Sequence, residues 1–411
     1  MTALDTDFVR SQFPAYAEAS LQGHAFFENA GGSYTCGQVI DRLHRFYTQR
    51  KVQPYGNYEA SQLGGAEMDE ARSRLAAMLN VESDELHFGP STSQNTYVLA
   101  HAFGETLSPG DVVIVTDQDH EANSGAWRRL EARGMQIREW HINRETGQLE
   151  TEALAGLLDE SVKLVCFPHC SNIIGQENPV ADVVKMAHAV GAVTCVDGVS
   201  MAPHGFADVG ALGADIYMFS SYKTYGPHQG IMVVRRALTD WLTNQAHFFN
   251  AGYRTKRLTP AGPDHAQIAA CAGIADYVDA LYDHHFDEVA SPAVRTAAVT
   301  AMKRAHEIQT LAPLLDFLAN RDNVRILGNA SIGNNARRVP TVALDTKKPA
   351  EEVADALATH GIMAGAGDFY ALRTIGAMGC DKDAGVLRLS FVHYTTDAEV
   401  AKLMTALDAT L

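Results

Sequence analysis

Short apolar runs alternate through the middle of the chain with segments whose apolar residues recur at helical spacing. The runs are bounded by Gly, Pro, Asp or Ser, and they are DVVIVTD (111–117), KLVCFP (163–168), AVTCVD (192–197) and DIYMFS (215–220). Such runs are typical of strands buried on both faces of a parallel sheet. One intervening segment, VADVVKMAHAVG, has the spacing of an amphipathic helix and ends at Gly191, a favourable C-cap. The pattern predicts a doubly wound α/β fold.

The pattern changes after about Pro263. A mostly helical stretch is followed by strand-like and helix-like segments in turn: Ala266 to Arg321, VPTVALD (339–345), PAEEVADALATHG (349–361), VLRLSFVHY (386–394) and AEVAKLMTALDATL. This alternation predicts a smaller α+β domain closed by a helix.

The chain length of 411 residues also favours more than one core, because single cores stop growing at about 250 residues. We expect an N-terminal segment that packs on the small domain, a large cofactor-binding domain, and a connecting helix with the small C-terminal domain, at residues 1–22, 23–265 and 266–411. The chain has no repeat and no low-complexity linker, so the domains are expected to pack closely.

Charge and targeting signals narrow the classes of partner. With 33 Lys+Arg against 49 Asp+Glu the net charge is −16, which argues against binding to nucleic acid or anionic lipid and favours a small molecule. The chain has no leader-like N-terminus and no run of about 18 apolar residues, so we expect a cytoplasmic protein outside the membrane.

Six cysteines are scattered along the chain without a CxxC pair, which suits a reducing compartment. The segment CFPHC lacks a second ligand pair, so no metal site is predicted.

The candidate chemistry lies just after the predicted strands. GxGxxG, GxxxxGK[ST] and GxSxG motifs are absent, which removes the simplest support for hydride transfer, P-loop chemistry and serine hydrolysis. Asp197 ends one strand, and Lys223 follows the next in a turn rich in Ser, Gly and Tyr. A desolvated lysine can form a Schiff base, a neighbouring carboxylate can pair with a pyridinium nitrogen, and the serines can bind a phosphate. These are the requirements of pyridoxal phosphate (PLP).

With these residues in place, the sequence resembles the class V aminotransferase family, in its cysteine-desulfurase-like branch, in ordered blocks from about Phe26 to about Thr396. The resemblance implies an α/β protein of the PLP-dependent transferase fold type I. Its large domain would hold a mostly parallel, seven-stranded-type sheet flanked by helices, and a smaller α+β C-terminal domain would follow.

The resemblance also assigns cofactor contacts. PSTSQNT (90–96) resembles the family's turn at the start of a helix whose N-terminus faces the phosphate. DQDHEAN (117–123) resembles the block that carries the ring-stacking histidine, and HCSNIIGQENP (169–179) resembles the Ser-Asn block. Lys223, His120 and Asp197 would be catalytic, as Schiff-base lysine, stacking residue and pyridine-nitrogen partner. The remaining implied cofactor contacts are Ser91, Thr92, Ser93, Asn172, Ser200, Ser220, Tyr222 and Gly262.

Further blocks imply substrate contacts and a partner subunit. FFENAGG (26–32) resembles a segment beside the substrate, and VLRLSFVHYTT (386–396) resembles a strand whose arginine clamps the substrate carboxylate. RLTPAGPDHAQ (257–267) resembles a loop that reaches the partner's phosphate site, which implies a homodimer. The implied substrate contacts are Asn29, Ala30, Gly31, Arg388 and Tyr370.

One departure from the family concerns sulfur. The desulfurase nucleophile, a cysteine, aligns with Tyr370 in GIMAGAGDFYALR (361–373). Cys380 lies ten residues further on, but its use as a substitute would need a register that the flanking residues do not support. A second departure is DGVS, with Ser200 where the family commonly has His or Gln.

The expected function is therefore PLP-dependent chemistry at Cα or Cβ of a small amino acid, of the class V aminotransferase type. Transamination, β-elimination by a cysteine or cystine C–S lyase, and epimerisation all remain open. A catalytically silent PLP-binding scaffold is disfavoured because Asp197, Lys223 and Arg388 are all present.

Overall fold

The computed structural model describes residues 2–331 and 337–411. Its strands are β1 (Ala25–Phe26), β2 (Leu86–Gly89), β3 (Val112–Thr116), β4 (Gln136–Trp140), β5 (Val162–Pro168), β6 (Val193–Asp197), β7 (Ile216–Ser220), β8 (Gly230–Val234), β9 (Val324–Ile326), β10 (Thr341–Thr346), β11 (Ile362–Met363), β12 (Gly365–Gly367) and β13 (Val386–Ser390).

Its α-helices are α1 (Thr6–Ser11), α2 (Gly37–Gln49), α3 (Glu59–Met78), α4 (Thr92–Thr106), α5 (Gly125–Arg128), α6 (Thr151–Ala155), α7 (Val180–Ala189), α8 (Val209–Leu212), α9 (Arg236–Trp241), α10 (Arg254–Arg257), α11 (His265–Ala270), α12 (Ala272–His285), α13 (Pro292–Ala319), α14 (Ala350–Thr359), α15 (Leu372–Ala377) and α16 (Asp397–Thr410). No helix within residues 2–331 and 337–411 is at once long and apolar enough to cross a membrane.

The large sheet has seven strands in the order β2-β8-β7-β6-β5-β3-β4. The four strands predicted from apolar runs are β3, β5, β6 and β7, and they are consecutive in the sheet and parallel to one another. Strand β8 is antiparallel to both its neighbours, β2 and β7. The mostly parallel sheet predicted from the sequence is thus confirmed.

A smaller unit contains a four-stranded sheet in the order β12-β13-β10-β9, packed against α13, α14 and α16. The predicted strand over 386–394 is too long, because pairing ends at Ser390 and Thr395 donates back to the Val392 carbonyl in a turn. The predicted helical stretch is interrupted between α12 and α13, where Ser291 caps the new helix and Pro292 occupies its first position. The domain boundaries stay a prediction.

The N-terminal segment contacts helices α12 and α16. Arg10 pairs with Glu399 at the start of α16 at 2.8 Å, and the Asp5 carboxylate lies 2.9 Å from Nε2 of His284 at the end of α12. The next segment then forms β1, which pairs in parallel with β11 and carries the chain to the end of β13. This path brings residues near position 28 to the carboxyl edge of the large sheet.

The parallel strands place their carboxyl ends at one edge of the large sheet, which is where α/β folds bind ligands. Asp197 is the last residue of β6, and Lys223 follows β7 within a single 3₁₀ turn. The fold therefore brings together the two residues that the sequence singled out.

One prediction concerns the close approach of α12 to α2. A Cβ atom on Gly273 would lie 2.6 Å from the backbone nitrogen of Val39 and 2.7 Å from its Cα. We expect Gly273→Ala to lower the free energy of unfolding by about 1–3 kcal/mol, because backbone atoms must move to relieve the overlap. Urea denaturation should show a lower midpoint for this variant than for Gly252→Ala, whose added Cβ meets no atom within 4 Å. Equal midpoints would contradict the packing described here.

Candidate functional site

A cavity of about 280 Å³ opens at the carboxyl ends of β5, β6 and β7, beside the N-terminus of α4. Ten residues that the sequence assigned to the site line it: Ser91, Thr92, Ser93, His120, Asn172, Asp197, Ser200, Ser220, Tyr222 and Lys223. They come from positions spread over more than a hundred residues of chain, so the sheet topology is what brings them together.

Lys223 is the most unusual charged group of the cavity. Its side chain is buried, with the residue 7% exposed, and its ammonium donates no hydrogen bond to any residue that the structure describes. Burial, together with the charge of Arg388, lowers the pKa of Lys223 to about 8, and Asp197 opposes the shift. Part of the lysine population is therefore neutral near neutral pH.

The turn that carries Lys223 is anchored on both sides. The Lys223 carbonyl accepts a hydrogen bond from Ser33 Oγ at 2.6 Å. Two residues later, Tyr225 has a positive φ of 68° and donates its hydroxyl hydrogen to the Pro203 carbonyl. Lys303 Nζ, also buried, donates to the Tyr225 hydroxyl at 3.0 Å. These contacts hold the lysine at the cavity.

Asp197 lies deep in the same cavity. One carboxylate oxygen accepts the Val199 N–H at 2.8 Å. Burial raises the pKa of Asp197 to about 6, whereas the Val199 N–H and the Lys223 charge lower it. Asp119 also lines the cavity, and burial together with the charge of Asp197 raises the pKa of Asp119 well above its usual range. The edge of the sheet thus holds two carboxyl groups close to a single lysine.

His120 presents a neutral ring. Its Nδ1 accepts the backbone N–H of Ala122 at 3.0 Å. Burial lowers the pKa of His120 to about 3, and the charges of Lys223 and Arg388 lower it as well. A neutral imidazole held by its own backbone is suited to lie against a flat ring.

The N-terminus of α4 supplies hydrogen-bond donors, backbone N–H and hydroxyl groups, to the cavity. Ser91 is the N-cap residue, and its hydroxyl accepts the backbone N–H of Gln94 at 3.2 Å. Thr92 Oγ1 and Ser220 Oγ lie 2.7 Å apart. The first turn of a helix with these hydroxyl groups is suited to bind an anion such as a phosphate.

Gly262 does not line this cavity. It lies at φ +62° beside a neighbouring cavity, which shares Ser91 and His228 with the surroundings of Lys223. The His228 ring stacks on Tyr222, with the ring centroids 4.8 Å apart.

Arg388 approaches the cavity from strand β13. It is 3% exposed, and its Nη2 donates to Glu28 Oε1 at 2.6 Å while its Nη1 donates to the Asn172 carbonyl at 3.3 Å. The guanidinium carbon lies 3.7 Å from the centroid of the Phe369 ring. Burial lowers the pKa of Arg388, and Glu28 opposes that shift. The Asn172 amide nitrogen donates to the Phe369 carbonyl at 3.1 Å, and the buried amide oxygen has no hydrogen-bond partner within residues 2–331 and 337–411.

The other predicted substrate contacts lie around this arginine rather than in the cavity wall. Asn29 accepts from the Tyr394 hydroxyl, and Ala30 N donates to Ser390 Oγ at 2.9 Å. Gly31 N donates to the Glu28 carbonyl at 3.0 Å. Tyr370 is 73% exposed, has a positive φ of 57°, and its ring centroid lies 5.4 Å from that of His120.

The cysteines of the described chain are all unpaired, and Cys170 alone among them lines the cavity. Burial raises the pKa of the Cys170 thiol well above its usual range. Cys380 accepts from Arg325 Nη2 at 3.0 Å, away from the cavity lining, and burial raises its pKa to about 11. Neither thiol has the low pKa of a reactive nucleophile.

Four residues of this region were not predicted from the sequence, namely Glu28, Asp119, His228 and Phe369. Glu28 and Asp119 stand inside blocks already singled out, FFENAGG and DQDHEAN, so their carboxyl groups were the available signal. Phe369 lies in a loop where both it and Tyr370 have positive φ values, and its contact with Arg388 joins this loop to strand β13.

The donor set fits pyridoxal phosphate. The cavity offers a buried lysine without a partner in the described chain, a buried carboxylate on the neighbouring strand, a neutral imidazole and a helix N-terminus. These groups would hold the aldehyde carbon, ring nitrogen, ring face and phosphate of the cofactor. The fold and the site therefore define a PLP-dependent enzyme of fold type I.

The chain belongs to the class V aminotransferase family: the model of that family, described as "Aminotransferase class-V", matches residues 25–259. It is a cysteine-desulfurase-like member of this family of PLP-dependent enzymes. An aminotransferase-like protein, FGM3, of Gibberella zeae is 32% identical to it over 98% of both chains. A cysteine desulfurase of Pectobacterium carotovorum is 31% identical over 74% of this chain and 79% of its own.

The fold has close counterparts among solved structures. A cysteine desulfurase of Thermococcus onnurineus superposes with a TM-score of 0.83 at 22% identity, over 100% of this chain and 98% of that one. At this identity the likeness shows the shared fold.

A second prediction follows from the burial of Lys223. Because its folded-state pKa of about 8 lies below the ordinary 10.5, the buried charge destabilises the cofactor-free protein fully below pH 8. That cost falls as the pH rises toward 10.5. We expect Lys223→Met to raise the free energy of unfolding of the cofactor-free protein by about 1–3 kcal/mol at pH 7, and by less near pH 10.

Urea denaturation at the two pH values measures the difference, with Lys347→Met as a control in which an exposed lysine is lost. A stabilisation that does not depend on pH would show that the buried charge is not its source.

Proposed function

We propose that this PLP-dependent enzyme removes the α-proton of a small amino acid, with class V aminotransferase-like chemistry as its reaction. The observation that carries the proposal is the juxtaposition of Lys223 and Asp197 in one cavity, with Arg388 close enough to shift the pKa of the lysine. The whole-length similarity to an aminotransferase-like protein supports it.

In this proposal Lys223 would hold the cofactor through a Schiff base, Asp197 would pair with its ring nitrogen, and His120 would lie against the ring. The α4 N-terminus, with Ser91, Thr92 and Ser93, receives the phosphate. When bound, pyridoxal phosphate supplies a pyridinium ring that withdraws electrons from the substrate Cα.

Lys223 is suited to move a proton at the substrate Cα. Because its pKa is lowered, part of the Lys223 population has a neutral Nζ that can accept the Cα proton. The protonated Nζ can then return this proton to a neighbouring carbon. Arg388 would bind the α-carboxylate and thereby orient Cα toward Nζ.

Sulfur transfer through a cysteine is not part of this proposal. By the resemblance to the family, Tyr370 would take the position of the nucleophile. Cys380 accepts a hydrogen bond from Arg325, and burial raises the pKa of both Cys170 and Cys380. Direct β-elimination and epimerisation need no such thiol, so they are the alternatives that the experiment must distinguish.

The test uses holoenzyme and a panel of small amino acids, with assays for keto acid, for pyruvate plus sulfide, and for loss of optical rotation. We expect keto acid formation, and a visible absorbance band of the bound cofactor that disappears in Lys223→Ala, because that variant loses the Schiff base. Sulfide release that persists in Cys380→Ala would point to elimination, and its loss in that variant would restore Cys380 as the nucleophile. A colourless wild-type protein would contradict cofactor binding.

We also propose that the enzyme is a cytoplasmic homodimer. All six cysteines are unpaired, which suits a reducing compartment. Apolar side chains are exposed along α2, α3 and the loop between them, as expected of a subunit interface, and they are Ile40, Tyr47, Val52, Tyr55, Tyr58 and Leu63.

Light scattering after size-exclusion chromatography should give twice the mass of the chain. The substitution Tyr47→Arg should shift the protein toward the monomer mass, because it places a charge among the exposed apolar side chains. A wild-type protein that stays monomeric at micromolar concentration would contradict the proposed dimer.

A further inference from the structure

Arg388 already has a carboxylate partner within the chain. Glu28 Oε1 lies 2.6 Å from Arg388 Nη2, the distance of a charge-assisted hydrogen bond. The Glu28 side chain keeps 28% of its surface exposed, whereas that of Arg388 keeps 3%. The pair therefore stands at the boundary between solvent and the buried site.

Two glycines make room for this carboxylate. A Cβ atom at Gly31 would lie 2.6 Å from Glu28 Oε1, and one at Gly365 would lie 2.6 Å from Glu28 Oε2. The Glu28 carboxylate thus lies in a slot between the turn at Gly31 and strand β12, directly against the guanidinium. The Phe369 ring covers one face of the same guanidinium.

The guanidinium is not saturated by this contact. Its Nε is buried and has no partner in the described chain, and its contact to the Asn172 carbonyl is long, at 3.3 Å. A substrate carboxylate that takes two parallel hydrogen bonds from Arg388 must use Nη2 together with Nη1 or Nε, and Nη2 already donates to Glu28. Either way it meets the negative charge of Glu28 at close range, and like charges in a poorly solvated site repel strongly.

We propose that Glu28 is a specificity-determining residue, an internal carboxylate that occupies Arg388 until the α-carboxylate of the substrate displaces it. This inference rests on the proposed role of Arg388 in the proposed function. Glu28 makes the binding of an α-carboxylate weaker than a free arginine would allow. Primary amines that have no carboxylate bind without displacing it, so Glu28 narrows the preference of the site for amino acids over simple amines.

The test compares two probes that differ only in the carboxylate, L-alanine and ethylamine, by titrating each into holoenzyme and following the absorbance of the bound cofactor. Glu28→Gln keeps the size of the side chain and removes its charge. We expect the Kd of L-alanine to fall about tenfold in this variant while the Kd of ethylamine changes less than twofold. Glu28→Asp, which keeps the charge, should leave the Kd of L-alanine within about threefold of wild type.

The sign of the effect separates this proposal from a structural role. If Glu28 merely orients Arg388, Glu28→Gln will weaken the binding of L-alanine, and the proposal is overturned. Glu121→Gln is the matched control, since Glu121 is a half-exposed acid near Arg373 that does not contact Arg388. An equal fall in the Kd of L-alanine in Glu121→Gln would also overturn the proposal, because the tighter binding would then come from the change in net charge alone.

A further variant distinguishes failure of this inference from failure of the proposed function. Arg388→Lys should raise the Kd of L-alanine at least tenfold and leave ethylamine unchanged. If Arg388→Lys has that effect and Glu28→Gln has none, the binding of the substrate carboxylate by Arg388 is supported and the proposed role of Glu28 is wrong. If Arg388→Lys affects neither probe, the clamp itself is wrong.

Discussion

The burial of Lys223 at the carboxyl edge of the parallel sheet is the constraint on which the site depends. A buried ammonium without an acceptor in the described chain destabilises the folded protein. Hydrogen bonds that involve Ser33, Tyr225 and Lys303 hold the turn in place despite this destabilisation. The same burial lowers the pKa of the lysine and raises that of Asp197. The two shifts have one physical origin, which is the exclusion of water from the ends of β6 and β7.

The second part of the site comes from the smaller sheet. Strand β13 carries Arg388 to the cavity, and the short pairing of β1 with β11 carries Glu28 to the arginine. Because Asn172 and Phe369 also contact Arg388 or each other, the guanidinium connects the end of β5 with the loop before α15. Arg388 therefore connects the two sheets, and its charge also lowers the pKa of Lys223.

Much of the fold could be predicted from the chain. The apolar runs located β3, β5, β6 and β7 to within one residue, since strands buried on both faces need continuous apolar sequence. The short strands β1, β11 and β12 have two or three residues each, too few for a period to be visible. The end of β13 was misplaced because Phe391 and Val392 continue its apolar pattern into a buried turn.

What the sequence by itself determined is a set of candidate groups: Lys223 and Asp197 from their positions after strands, and His120 and the Ser91–Ser93 turn from the resemblance to the family. Only the tertiary structure decided how those groups are tuned. Their pKa shifts come from burial, which depends on everything packed around them. The pairing of Glu28 with Arg388 joins residues 360 positions apart. Such a contact is set by how two sheets meet, and no local pattern along the chain encodes it.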